Sequence, residues 1–194
     1  MGRAGLTGSH GRRSDRVVAP RRREIIVVRS LADSDLGLFK AHRKAATSKQ
    51  RAIALTTLVA KQLLSPVLFD TGGTEMDCIC VFGTISNREP RHIGKVGKNW
   101  RLGGHQLIGQ ELAELDSKDF MLLRSIEQND ATSSVMFTFV GRRAQTVIHA
   151  GVAAIVKDAL HQSVAVYNER SPAFAGIAAL FPSVPAGVAL KARA

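Results

Sequence analysis

Short apolar runs at strand spacing, parted by polar stretches and broken by only two helical patterns, limit what this chain can fold into. Residues 24–29 (EIIVVR) are an apolar run bounded by charge, which reads as a buried strand. Residues 51–56 alternate well enough for a strand, 76–85 form the clearest strand of the first half, and 163–167 a last one. Residues 120–126 and 135–140 are two more apolar runs, which the polar segment 127–134 joins as a hairpin with a long loop. Residues 106–116 are weakly patterned and are read as a strand followed by a turn. Helical spacing occurs at 57–64, with Thr as N-cap and Pro66 as the stop, and again from 145 to 160 through Val147, Ile148, Val152, Ile155, Val156 and Leu160. Five to seven strands with two or three short helices do not alternate as a βαβ chain does. The expected class is therefore mainly β, an antiparallel barrel or sandwich.

With 194 residues, 45% of them apolar, the chain can bury one sizeable core. The expected organisation is a disordered basic tail at 1–23, one domain at 24–170, and an Ala/Pro-rich extension or linker at 171–194. The net charge of +11 points to a polyanionic or acidic partner. Seven arginines against Asp15 put about half of that excess in the tail and leave roughly +5 for the body. No apolar stretch reaches the roughly 18 residues of a membrane span, and the tail lacks the apolar core of a secretory signal. Glycines interrupt any amphipathic presequence there, so a cytoplasmic protein with no membrane partner is expected. Cys78 and Cys80, two apart in a strand pattern, suit small buried groups better than zinc ligands.

Two basic segments stand out. Between Leu36 and Arg51 there are five Lys/Arg, one His and no acid, preceded by Asp33 and Asp35. Residues 84–104 (TISNREPRHIGKVGKNWRLGG) offer Arg88, Arg91, Lys95, Lys98 and Arg101 against Glu89, with Asn87, Asn99, His92 and the only tryptophan. So polar and glycine-rich a segment is expected to be a surface arm with Trp100 as its anchor. Guanidinium forks and carboxamides pair two-toothed with guanine and adenine edges, and lysines neutralise phosphates.

Catalytic patterns are thin. Asp116-Ser117-Lys118, with Asp77 or Asp70 as second carboxylate, could hold Mg²⁺ for a small nuclease, although D-x-K is common by chance and here precedes a strand. There is no G-x-S-x-G, phosphate-loop or H-E-x-x-H motif. A ribosome- or RNA-associated basic protein is the other alternative.

The order of the EIIVVR strand, polar arm SLADSDLGLFKAHRKA, strand–helix RAIALTTLVAKQLL, strand CICVFG, basic arm SNREPRHIGKVGKNWRLGG, strands DFMLLRSI and VMFTFV, and a late helix resembles the N-terminal effector domain of EcoRII-type restriction endonucleases. That domain shares a DNA-binding pseudobarrel superfamily with the plant B-three domain and the BfiI specificity domain. The resemblance covers about residues 24–160. It implies a seven-stranded open barrel whose two arms grip double-stranded DNA in the major groove. On this chain the first arm would carry Asp33, Asp35, Lys40, His42, Arg43, Lys44 and Lys49. The second would carry Asn87, Arg88, Arg91, His92, Lys95, Lys98, Asn99 and Arg101. It further implies a targeting or effector module that needs no cofactor and does not cut DNA. Cleavage would belong to a Mg²⁺-dependent nuclease domain elsewhere in a longer polypeptide, a type II restriction endonuclease.

Overall fold

The computed structural model describes residues 22–39, 42, 52–64, 72, 75–81, 88–103, 111–128, 131–158 and 163–181. Its strands are β1 (Arg22–Ser30), β2 (Ile53–Leu55), β3 (Glu75–Val81), β4 (Arg88–Val96), β5 (Asn99–Gly103), β6 (Phe120–Gln128), β7 (Ala131–Val140) and β8 (Val164–Asn168). The helices are α1 (Thr57–Leu63), α2 (Thr146–Val156) and α3 (Phe174–Ala178), and 3-10 turns lie at Asp35–Leu38 and Glu111–Glu114. All eight strands join one sheet in the order β2-β5-β4-β3-β7-β6-β1-β8, so the chain is mainly β. Its pairs are antiparallel except β3 with β7.

Period-two geometry explains why β1 reads as a continuous apolar run: both of its faces are covered. Ile25 and Val27 enter one core with Ile53, Leu55, Ile93, Trp100, Leu102, Leu123 and Phe137. Ile26 and Val28 enter a second with Phe120, Leu122, Val140, Val152, Val156, Tyr167, Ile177 and Phe181. The first core draws on both ends of the sheet order and on α1, which places it inside a curl. Arg29 of β1 donates from Nη1 to the Ala54 carbonyl of β2 at 3.0 Å, joining the next-to-last strand to the opposite edge. The sheet is nevertheless open, since β2 and β8 are edges that do not pair with each other. The second core lies under α2 and α3 and continues to Phe181, 5% exposed. Burial there pushes the Tyr167 phenol up from its ordinary value.

α1 is capped as its sequence suggests: the Thr56 hydroxyl accepts from the Val59 amide at 3.2 Å. Three expectations change. The described part of 106–116 holds a 3-10 turn where a strand was expected, and Leu112 and Leu115, three apart, both reach the first core. The hairpin of β6 and β7 pairs out to Gln128 and Ala131, so its loop is short; the polar residues 127–134 lie largely in the ladder. The segment 84–104 is a surface arm only in part, because it supplies β4 and β5 to the sheet. Most of the basic tail (1–21) and the end of the extension (182–194) lie outside the described residues. Among the described residues no helix is long and apolar enough to cross a membrane.

Candidate nucleic-acid interface

Strand direction decides which loops share an end of the sheet. Ser30 pairs with Phe120 and Phe120 with Val140, while Val81 pairs with Arg88. β3 runs parallel to β7, so these positions collect at one end, called the arm end here. Residue 31 leaves β1 at that end, and Arg88 enters β4 there. Asn87 itself, with Lys40, Arg43, Lys44 and Lys49, lies outside the described residues.

The first arm has a firmly built root. The Leu31 amide donates to the Asp119 carbonyl at 2.7 Å, and the Lys118 amide returns a bond to the Leu31 carbonyl at 2.8 Å. Asp33 is exposed. Asp35 is not: it is 2% exposed, takes Arg29 Nη2 at 2.9 Å, and accepts the Ala32 amide at 3.0 Å. This carboxylate closes the turn and neutralises a part-buried guanidinium, which removes it from the candidate base readers. Phe39 is buried against Phe139 with ring centroids 5.0 Å apart, and His42 meets the Phe39 ring edge-on at 6.0 Å. His42 Nε2 lies 2.9 Å from the Leu112 carbonyl, so Nε2 carries the proton and the ring fastens the arm to the 3-10 turn at Glu111–Glu114.

The second basic segment divides. Gly97 (φ +61) and Lys98 make a two-residue connection between β4 and β5, with Val96 paired to Asn99. Positive φ at the first loop position is the requirement of a II′ hairpin, and glycine meets it without steric cost. Lys95, Lys98 and Asn99 are exposed at this tip. The tip points away from the arm end, because Lys95 is seven residues along β4 from Arg88, about 23 Å at ~3.3 Å per residue. Ile93, Trp100 and Leu102 turn inward, and Trp100, 2% exposed, anchors the hairpin as expected. Alternation puts His92 and Arg101 on the opposite, outer face, His92 exposed and Arg101 half-buried. Arg91 is half-buried nearer the arm end. Arg88 thus begins β4 at the arm end with Arg91 three residues further in, and Lys95, Lys98 and Asn99 lie at the opposite tip.

Residues not assigned to DNA from the sequence join the arm end. Arg142 and Arg143 follow β7 there and are exposed, as is Lys118 before β6. The signal was available as two adjacent arginines just past an apolar strand. Asp119, 1% exposed, ties these loops together by accepting the Asp116 amide at 2.8 Å and the Arg142 amide at 3.1 Å. His149 of α2 reaches the same carboxylate, 3.3 Å from Nε2 to Oδ1, and lies against the Phe120 ring.

The D-x-K tripeptide occupies a turn. Asp116 pairs with exposed Arg143 at 2.9 Å, and Lys118 holds φ +72. Asp77 belongs to β3, where it is paired with His92, and Asp70 lies outside the described residues. Among the described residues no three His, Cys, Asp or Glu side chains gather as a metal site. No protein-family model and no curated protein matches this sequence.

Proposed function

We propose that this chain is a DNA-binding pseudobarrel that reads a short double-stranded site from the arm end of its sheet. In this reading Asp33, Lys40, Arg43, Lys44 and Lys49 of the first arm work with Asn87, Arg88 and Arg91 of the second. Asp35 and His42 belong to the root of the first arm and hold it in place. Arg142, Arg143 and Lys118 add phosphate-neutralising charge beside both arms. The chain targets DNA and leaves strand scission to a Mg²⁺-dependent nuclease domain of the same restriction enzyme.

The observation that carries this reading is the shared end. Leu31, where the first arm leaves β1, and Arg88, where the second basic stretch enters β4, are more than 50 positions apart in sequence, and both lie at the same end of the sheet. Such a pair of jaws over a rigid scaffold is what major-groove reading needs, since base-edge contacts must be held in register while lysines and arginines neutralise phosphates.

The test is selection of bound duplexes from a random pool, followed by affinity measurements on the selected site and a scrambled one. A short enriched motif is expected, with Arg88→Ala costing about 1–3 kcal/mol on that motif and little on the scrambled duplex. No enrichment, or equal losses on both duplexes, refutes base reading by this arm. Displacement of bound duplex by structured RNA at lower concentration than by DNA transfers the reading to RNA.

A further inference from the structure

The sequence of α2 does not match its exposure. Residues 144–156 hold no charged side chain, and only 171–190 is a longer charge-free stretch in the chain. A surface helix ordinarily carries charge on its outer side, whereas a helix that is apolar all round is buried. The inner side of α2 is covered: His149, Val152 and Val156 are buried, and the two valines belong to the second core. The outer side is open. Val147 is 86% and Ile148 39% exposed, and Ala150, Gly151 and Ala154 are exposed along the same helix. A Cβ built on Gly151 would meet nothing within 4 Å.

The longer charge-free stretch starts next to this helix. Ile177 and Phe181 lie in the second core, and Ala173, Phe174, Ala178 and Leu180 pack against it. A Cβ built on Gly176 of α3 would stand 3.9 Å from Ile155 Cδ1 of α2. We propose that residues 182–190 (PSVPAGVAL) continue this packing as an extended strap across the outer side of α2, with Val184, Val188 and Leu190 seated over Val147, Ile148 and Gly151. The segment is long enough. An 11-residue helix is about 16 Å long at ~1.5 Å per residue, and the strap spans about 30 Å at ~3.3 Å per residue. Pro182 and Pro185 fix φ in the extended region and reduce the entropy lost on ordering. A second copy of the chain is the weaker occupant. Paired along a strip ~10 Å wide, two such helices bury roughly a few hundred Å² on each side, short of the ~1,000 Å² total that a specific association needs. A tethered segment needs far less, because its local concentration is about millimolar. On this assignment the domain runs to Leu190, and the extension is part of the body rather than a linker.

The test is a substitution whose sign depends on the strap. Val147 is the second residue of α2, and an aspartate open to water in the first turn of a helix is favourable. Beneath the strap the same carboxylate would be desolvated. Val147→Asp in the full chain should therefore lower the thermal unfolding midpoint by about 5 °C, and the double variant Val188→Asp/Leu190→Asp should lower it similarly. Added to that double variant, Val147→Asp should leave the midpoint unchanged or raise it. A raised or unchanged midpoint for Val147→Asp alone shows the outer side to be open and overturns the strap. An equal drop in both backgrounds shows that something other than Val188 and Leu190 covers Val147, which also overturns it. A midpoint that rises with protein concentration in the unsubstituted chain, and no longer does so in Val147→Asp, assigns the face to a second copy instead. Methyl–methyl NMR cross-peaks from Val147 or Ile148 to Val184, Val188 or Leu190 in the unsubstituted chain check the contact directly, and their absence overturns it. Duplex affinity enters none of these readouts, so the strap stands or falls apart from the duplex reading.

Discussion

The two basic segments are built in opposite ways. The described part of the first, Leu31–Phe39 and His42, is a 3-10 turn with irregular flanks held by particular polar bonds: Asp35 to Arg29, Leu31 to Lys118 and Asp119, and His42 to Leu112. The second, from Arg88 to Gly103, is held by the strand ladder, with Ile93, Trp100 and Leu102 packed into the first core. An irregular segment depends on a few bonds, any of which can fail alone. A ladder spreads its support over every residue and concentrates its packing energy in the few side chains it buries.

That contrast predicts the largest effect at Trp100. Its indole is the biggest side chain in the first core and the only one of its kind in the chain. Trp100→Ala should cost about 3–5 kcal/mol by chemical denaturation, the range for aromatic truncation in a core. Loss of less than about 1 kcal/mol would mean that the hairpin contributes little to the body, and the contrast would collapse.

Asp35→Ala should come next, at about 3 kcal/mol, because it strands a guanidinium that is 16% exposed and frees the Ala32 amide. The effect should be felt most at the first arm. Hydrogen exchange of the Asp35 and Leu36 amides, which close the arm turn, should quicken more than that of β4 and β5 amides. Uniform quickening would show that this root is not a separable device.

Gly97→Ala is a smaller test, confined to the ladder. A side chain would meet nothing within 4 Å at this position, so the whole cost is the backbone conformation at φ +61. About 1–2 kcal/mol is expected, read from the denaturation midpoint, with no change in first-arm exchange. A larger loss would mean that the substitution also breaks the bond the Thr57 hydroxyl donates to the Lys98 carbonyl at 3.4 Å.

How much of this was legible in the sequence follows from the same physics. β1 and β6 were readable because both faces are covered: Ile25 to Val28 and Phe120 to Leu123 present unbroken apolar runs. β4 and β5 escaped because Ile93, Trp100 and Leu102 are their only residues in the described core, and charged residues, histidine and glycine surround them in sequence. Asp35 was misassigned for a related reason. A carboxylate in a polar run looks like its exposed neighbour Asp33, and only the fold shows that Arg29 lies across from it. The grouping of Arg88 with Lys98 failed for want of strand direction, which composition does not carry. Trp100 as an anchor was legible because a lone large aromatic in a charged stretch has few other places to go.

His42→Ala carries the smallest expected effect and separates two readings of one residue. As a base or phosphate contact, His42 would be dispensable to the fold and costly to binding. As a root bond, it donates from Nε2 to the Leu112 carbonyl and packs on Phe39, so its loss leaves a carbonyl to be resolvated and one ring edge uncovered. A single hydrogen bond of this kind is worth about 1 kcal/mol net. Denaturation should therefore register a loss of about that size, and salt slopes for duplex binding should stay unchanged, since no phosphate contact is removed. His42→Gln, whose carboxamide keeps a donor, should recover part of the stability. Unchanged stability together with a shallower salt slope would transfer His42 from the root to the DNA surface, and the first arm would then begin closer to its root than Asp35 and Phe39 suggest.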